Sequence, residues 1–170
     1  MYKRQLIYFG GVDSENITAK ALQALMDPEL SDLAVDVVLG VQAPYRQEIE
    51  EIVAIRKLTT LHNPLPSLAS LIARADVCIG AGGATTWERI CLKLHTLVVT
   101  VAENQEECAH ELHKSSAIKL LGKASTATVN NIKRGLTTIQ TSQISMSENK
   151  VEIDALGTLR VYSILNSHNA

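Results

Sequence analysis

The sequence predicts an α/β fold with a doubly wound, mostly parallel sheet. Three observations indicate this fold. Short apolar runs alternate with stretches of helical period, each connection between successive apolar runs is long enough for the crossover between parallel strands, and glycines follow two of the apolar runs. The chain has 170 residues and 46% apolar content, enough for one compact domain spanning residues 1–170.

The apolar runs predict six strands, at residues 6–9, 35–39, 59–61, 77–79, 97–101 and 118–120. The stretches of helical period predict seven helices, at residues 16–26, 46–55, 66–73, 86–92, 105–115, 129–140 and 153–166. Residues 141–150 are rich in Ser, Thr, Gln and Asn and lack periodicity, which predicts a surface loop before the last helix.

Composition excludes several classes of partner. The net charge is -2, with 16 basic and 18 acidic residues spread along the chain, so no basic stripe is available for nucleic acid. No apolar segment approaches the roughly 18 residues that span a bilayer, and residues 1–5 do not resemble the start of a signal peptide. We therefore expect a cytoplasmic protein with no nucleic-acid partner and no membrane span.

The side chains that most often bind metals do not form a pattern typical of a site. Cys78, Cys91 and Cys108 are widely spaced in apolar or helical surroundings and are expected to be reduced core thiols. His110 and His113 lie three residues apart on a predicted helix near Glu107 and Cys108, a spacing that one metal could share, but the sequence fixes no further ligand. We expect no metal site, and no catalytic triad can be assigned.

Ligands of an open parallel sheet bind beyond the carboxyl ends of its strands. The first segment expected there is F-G-G-V-D-S at residues 9–14, where Gly10 and Gly11 would let the backbone approach a phosphate. The alternative is an ordinary turn, in which Asp13 or Ser14 caps the following helix.

The second segment is G-A-G-G-A-T-T-W-E at residues 80–88, which joins a strand to a helix. Its glycines and threonines can supply N–H and hydroxyl groups to an anion, and Glu88 can reach a diol such as a ribose. In the alternative, Thr85 is a helix cap and Glu88 is a surface acid that complements the helix dipole. The segment matches neither a Walker A loop nor a dinucleotide-binding fingerprint, which disfavours ATP and NAD.

The third segment is A-E-N-Q at residues 102–105, at the start of another helix. The amides of Asn104 and Gln105 can donate to and accept from a phosphate or a sugar hydroxyl. Asn104 as a simple helix cap is an equally open interpretation.

Together these three motifs resemble the C-terminal half of the UDP-2,4-diacetamido-2,4,6-trideoxy-β-L-altropyranose hydrolases of pseudaminic acid biosynthesis, and their relatives in spore-coat polysaccharide synthesis. More distantly, the chain is similar to the UDP-N-acetylglucosamine transferase that acts on lipid-linked muropeptides. The resemblance covers nearly the whole chain. It implies the GT-B architecture of two Rossmann-like domains, with UDP held mainly by the C-terminal one, and hydrolysis without a metal or other cofactor.

The resemblance also implies roles for single residues. Those expected around the diphosphate are Gly10, Gly11, Gly82, Gly83, Ala84, Thr85 and Thr86. Glu88 would hold the ribose, Leu65 and Leu68 would lie beside the uracil, and Asn104, next to Gln105, would act at the reaction centre. The family's catalytic His lies on a glycine-rich loop of the N-terminal half, which has no counterpart before Gln5.

We therefore expect the UDP-binding half of a UDP-sugar hydrolase, inactive unless an N-terminal half is supplied in cis or in trans. One alternative is half of a UDP-N-acetylglucosamine-type glycosyltransferase, in which an acceptor hydroxyl replaces water. The particular residues of the motifs at 80–88 and 102–105 disfavour the transferase. Another alternative is a stand-alone UDP-binding subunit that recruits a separate partner.

Overall fold

The computed structural model describes residues 3–141 and 151–167, so the predicted loop lies, apart from Thr141, outside the described residues. Six parallel strands form one sheet in the order β3-β2-β1-β4-β5-β6. They are β1 (Arg4–Tyr8), β2 (Ala34–Val38), β3 (Thr59–His62), β4 (Val77–Ala81), β5 (His95–Thr100) and β6 (Lys119–Lys123). The strand order reverses between β1 and β4, which are neighbours, and this is the switch point where such sheets bind ligands.

Helices cover both faces of the sheet. They are α1 (Ile17–Ala24), α2 (Arg46–Ile55), α3 (Ala69–Arg74), α4 (Thr85–Cys91), α5 (Glu106–Lys114), α6 (Val129–Thr141) and α7 (Gly157–Ser167). Buried side chains of α1, α2 and α6 pack on one face of the sheet, and those of α3, α4 and α5 pack on the other. Three single turns of 3₁₀ helix complete the described part, at Pro28–Leu30, Glu103–Gln105 and Ala124–Thr126.

The central strands are buried on both faces, as expected for a parallel sheet between two helical layers. Every residue of β4 is buried, and so is every residue of β5 after His95. Val151 and Ile153, which follow the undescribed residues, pack beside α4 and α5. The apolar runs of the central strands therefore form strands because their side chains enter an apolar layer on either face.

One buried carboxylate on β2 links side chains of β1, β3 and α3. Asp36 on β2 is 1% exposed and accepts hydrogen bonds from Arg4 at 3.0 Å and Arg74 at 2.5 Å, and it lies 2.7 Å from His62 Nε2. Burial by itself would raise the pKa of Asp36, but the hydrogen bonds from His62, Arg4 and Arg74 hold that pKa below its ordinary value.

The predicted fold class is confirmed, and the differences are at element boundaries. β1 begins two residues earlier than predicted, because the polar Arg4 pairs with Asp36 and the polar Gln5 is fully buried in the sheet. α3 begins at Ala69 instead of residue 66, because the Ser67 hydroxyl accepts the Ala69 N–H at 3.2 Å and forms a turn before the helix. No residue of α7 is buried.

Candidate functional site

A cleft of about 480 Å³ opens at the carboxyl ends of β1, β4 and β5, at the switch point of the sheet. Its walls come from the turns that follow β1 and β4 and from the end of β5. The lining residues are Tyr8, Phe9, Gly10, Gly11, Val12, Asp13, Ser14, Ala81, Gly83, Ala84, Thr85, Val101 and Gln105. Parts of all three segments singled out in the sequence therefore meet in one place.

The first glycine loop, residues 9–13, requires glycine at position 10 and passes close to the chain after β2. Gly10 has a φ of +91°, which side chains rarely adopt. A Cβ at Gly40, after β2, would lie 1.9 Å from the Gly11 carbonyl oxygen, so the two backbones pass in direct contact. The loop thus lies flat against the chain after β2 and presents main chain to the cleft.

Asp13 confirms the capping interpretation of this loop. Its two carboxylate oxygens each accept a backbone N–H at the start of α1, from Ile17 and Thr18, both at 2.9 Å. Asp13 is buried, and its φ of 49° turns the carboxylate back toward the helix. Two of the N–H groups that an anion would need at this helix start are therefore already bonded to a carboxylate.

The second glycine loop, residues 80–83, is packed more tightly. A Cβ at Gly80 would lie 2.5 Å from both the Tyr8 carbonyl oxygen and Arg89 Nη1, and a Cβ at Gly82 would lie 3.3 Å from the Gln105 side chain. A Cβ at Gly83 would meet only Gln105 Nε2, at 3.8 Å. Gly80 is thus required by packing, Gly82 is closely surrounded by side chains, and Gly83 leaves space on the cleft side.

Gln105 joins the second loop to the end of β5. Its Oε1 accepts the Gly82 N–H at 3.1 Å and the Val101 N–H at 3.1 Å. Because both partners are N–H donors, the atom that faces them must be the amide oxygen, and the NH₂ end must point away from them. Among the described residues this NH₂ has no acceptor, so it remains available to a ligand in the cleft.

The two threonines at the start of α4 differ in availability. Thr85 lines the cleft, and its hydroxyl has no hydrogen-bond partner in the described part of the chain. Thr86 is buried, and its hydroxyl donates to the Ala81 carbonyl at 3.2 Å and accepts from Arg89 at 2.8 Å. The Thr85 hydroxyl can donate to an anion, whereas the buried Thr86 hydroxyl stabilises the second loop.

Of the residues predicted from the sequence, Gly10, Gly11, Gly83, Ala84, Thr85 and Gln105 line the cleft. Glu88 is exposed on α4, one turn beyond Thr85. Asn104 is exposed in the 3₁₀ turn and makes no side-chain cap to α5. Leu65 is 39% exposed, and Leu68 packs in the core of the α3 face. Their proposed roles toward a nucleotide stay predictions.

The four histidines in the described part of the chain do not line the cleft. His62 is engaged with Asp36, and His113 Nδ1 lies 3.3 Å from the Ile118 carbonyl oxygen. His95 and His113 line a second cavity of about 210 Å³, where β5 and β6 begin, at the opposite edge of the sheet. Burial lowers the pKa of His95. The described residues contain no group of three or more His, Cys, Asp and Glu that could hold a metal ion.

Sequence reasoning missed Arg89, which is 2% exposed beneath the second glycine loop. Its Nη2 donates to the Ala81 carbonyl at 2.5 Å, and its Nε donates to the Thr85 carbonyl at 3.1 Å. An arginine next to Glu88 on a short helix is usually a surface residue, so its position in the sequence gave no sign of burial. The only available hint was the row of small residues at 80–84, which leaves space below the loop.

Within the described helices, none is long and apolar enough to cross a bilayer.

No family model matches the chain. Two curated proteins are similar in sequence. The spore coat polysaccharide biosynthesis protein SpsG of Bacillus subtilis is 24% identical over 165 residues, which are 94% of this chain and 49% of that protein. An uncharacterized protein of Methanocaldococcus jannaschii is 29% identical over 109 residues, 62% of this chain and 22% of that protein.

Solved structures share the fold. UDP-GlcNAc 2-epimerase from Neisseria meningitidis bound to UDP-GlcNAc superposes with a TM-score of 0.74 at 15% identity, over 96% of this chain and 45% of that one. MurG of Acinetobacter baumannii has a TM-score of 0.68 at 16% identity, over 97% and 52%. The chain spans about half the length of these proteins or less. Its fold is the Rossmann-like α/β domain found in enzymes of the GT-B architecture.

Proposed function

We propose that the chain is the nucleotide-binding half of a metal-independent UDP-sugar hydrolase. One observation carries the proposal: two glycine loops, after β1 and β4, line a single cleft at the switch point, with the Gln105 NH₂ group unpaired beside them. Exposed main chain and free amide donors suit a phosphate group, which accepts several hydrogen bonds at once.

Two of the similar proteins support a nucleotide sugar as the ligand. One is named for polysaccharide biosynthesis and matches 94% of the chain, and the other was solved with UDP-GlcNAc bound. We propose UDP linked to a 2,4-diacetamido-trideoxy hexose as the substrate, with the released sugar used for nonulosonic (pseudaminic) acid synthesis. This choice of sugar rests on the motifs at residues 9–13, 80–88 and 102–105.

In the proposed complex, the diphosphate lies against the two glycine loops and receives hydrogen bonds from the Thr85 hydroxyl and the Gln105 NH₂ group. Gly82 and Thr86 stabilise the second loop through their hydrogen bonds to Gln105 and to the Ala81 carbonyl. The exposed Glu88 carboxylate accepts hydrogen bonds from the ribose hydroxyls. Leu65 and Leu68 lie on the uracil side, after β3.

The proposed reaction is attack of water on the anomeric carbon, with cleavage of the bond to the UDP oxygen. Water needs a base to accept its proton, and such help is typically worth about 10²- to 10⁴-fold. Asn104 carries an amide without useful basicity, so its role is to orient the water or the sugar. The base is expected on an N-terminal half, supplied in cis or in trans, which would also close the cleft.

Calorimetry with nucleotides tests the binding proposal. The 170-residue chain should bind UDP more tightly than UMP or ADP, with a Kd in the high micromolar range or weaker because one side of the cleft is open. Equal affinities for UDP and ADP would contradict a uracil-specific site.

Turnover tests the hydrolase proposal. The chain alone should not hydrolyse UDP-sugars measurably, and activity should appear when a matching N-terminal half is fused or added. In that enzyme, Asn104→Ala should lower kcat more than it changes UDP affinity. Robust hydrolysis by the isolated chain would overturn the assignment of the base to another half.

A further inference from the structure

Arg89 is a buried cation, and no carboxylate among the described residues forms an ion pair with it. Its five N–H groups meet three oxygen acceptors, which are the Ala81 and Thr85 carbonyls and the Thr86 hydroxyl, and a weak fourth acceptor, the Cys78 sulfur at 3.5 Å. No carboxylate in the described part of the chain lies within 4 Å of the guanidinium. Burying a charge is costly unless an opposite charge or a full set of hydrogen bonds compensates it.

Arg56 shows what a purely structural buried arginine looks like in the same molecule. It is 6% exposed and also lacks a carboxylate partner within the described residues, but five oxygens accept its hydrogen bonds. Four of them are carbonyl oxygens and the fifth is the Thr59 hydroxyl. The N–H groups of Arg56 are thus matched by oxygens, whereas those of Arg89 are not.

The bonds of Arg89 lead directly to the cleft. Its Nη2 donates to the carbonyl of the Ala81–Gly82 peptide, and the N–H of that same peptide donates to Gln105 Oε1. A hydrogen-bond chain therefore runs from the guanidinium, through one peptide unit, to the amide whose NH₂ end is free. Bonds linked in this way polarise one another in the direction of the positive charge.

We propose that Arg89 is a positioning residue for the phosphate groups of the nucleotide. It holds the Ala81–Gly82 peptide in place and, through that peptide, orients and polarises the Gln105 amide toward the cleft. The positive charge beneath the loop also favours a doubly charged phosphate chain over a neutral ligand. The inference rests on the proposed UDP site and adds the source of its selectivity for phosphate.

The test compares Arg89→Gln, Arg89→Lys and the matched control Arg56→Gln in the full 170-residue chain. Binding of UDP, UMP and uridine is followed by NMR titration, which measures weak affinities, and unfolding is followed by urea denaturation. Arg89→Gln should weaken UDP binding by about tenfold, UMP less, and uridine little. Arg89→Lys should recover part of the loss because it keeps the charge, and Arg56→Gln should lower stability without changing the order or size of the affinities.

Equal losses for UDP, UMP and uridine, or equal effects of Arg89→Gln and Arg56→Gln on UDP binding, would overturn the inference while the UDP site survives. Failure of the unsubstituted chain to bind UDP would overturn the proposed function itself, and this inference with it. If Arg89→Gln does not fold, the Nε–H signals of ¹⁵N-arginine in the unsubstituted chain decide the question. UDP should shift the Arg89 signal and leave the Arg56 signal in place, and an unmoved Arg89 signal contradicts the proposal.

Discussion

The two glycine loops of the cleft look alike in sequence but differ in charge. Each follows a central strand and leads to a helix. The first holds a buried carboxylate, Asp13, whose oxygens take two N–H groups at the start of α1. The second rests on a buried guanidinium, Arg89, which bonds to the loop's own carbonyl at Ala81. One loop already contains an anion and the other is built around a cation.

This difference assigns the loops different parts in the proposed site. An anion that approaches the first loop meets main chain but also a nearby negative charge, so the loop serves as a wall. At the second loop it meets the Thr85 hydroxyl and the Gln105 NH₂ group over a positive charge. A glycine pair after a strand is therefore not sufficient to identify a phosphate site, because the side chains behind the loop decide its charge.

The largest expected effect concerns the packing of the second loop. Gly80→Ala should lower the free energy of unfolding by about 2 to 3 kcal/mol, because the new Cβ would lie 2.5 Å from a backbone oxygen of Tyr8 as well as from Arg89. Gly83→Ala is the matched control and should be close to neutral, since its Cβ meets only Gln105 Nε2 at 3.8 Å. Urea denaturation of both variants measures the difference, and equal stabilities would disprove the packing described for Gly80.

Two exposed glutamates, Glu88 on α4 and Glu48 on α2, give the next comparison. Glu88→Gln should weaken UDP binding by about 1 to 3 kcal/mol, because it removes a charged acceptor for the ribose while keeping the shape. The control is Glu48→Gln, since Glu48 accepts a hydrogen bond from Asn16 beside the first loop and has no predicted ligand role. Calorimetry should detect a change for Glu88 alone. Unchanged binding with lower thermal stability would support the helix-start role of Glu88 instead.

The amide of Gln105 can be tested without removing its structural bonds. Gln105→Glu keeps an oxygen for the Gly82 and Val101 N–H groups but places negative charge where the NH₂ group was. UDP affinity should fall by about 1 to 2 kcal/mol with little change in stability. Gln23→Glu, on the exposed surface of α1, makes the same charge change away from the cleft and should leave binding intact. The same loss in both variants would point to net charge as the cause.

The smallest effect is expected at the first loop. Asp13→Asn should cost about 1 kcal/mol of stability, because the amide can accept at only one of the two N–H groups. UDP binding should become about twofold tighter, since a like charge leaves the cleft wall. Asp27→Asn, which alters the cap of the turn at Pro28–Leu30, should destabilise the chain without affecting UDP. Weaker UDP binding by Asp13→Asn would show that the carboxylate helps the ligand.

The order of the elements and the meeting place of the motifs could be predicted from the sequence, because periodicity reports which side chains are buried and parallel strands bring their carboxyl ends to one edge. The cap formed by Asp13 could also be anticipated from its residue type. The start of β1 could not, because the burial of Gln5 depends on neighbouring strands far away in the chain.

Arg89 marks the limit of the prediction at the site. Its position next to Glu88 resembles that of an exposed helix residue, and only the tertiary packing of α4 under the loop places it in the interior. The different roles of the Thr85 and Thr86 hydroxyls have the same origin. Adjacent side chains on a helix point in different directions, and only the Thr86 hydroxyl bonds to Arg89.

The central claim is that UDP binds in the cleft between the two loops, and amide NMR of the ¹⁵N-labelled chain tests it most directly. On titration with UDP, saturable shifts should appear at Gly10, Gly11, Gly83 and Thr85 and at the side-chain NH₂ of Gln105, while amides around the second cavity, at His113 and Ile118, stay unchanged. Saturable shifts confined to the second cavity, or none at the two loops at millimolar UDP, would contradict the account.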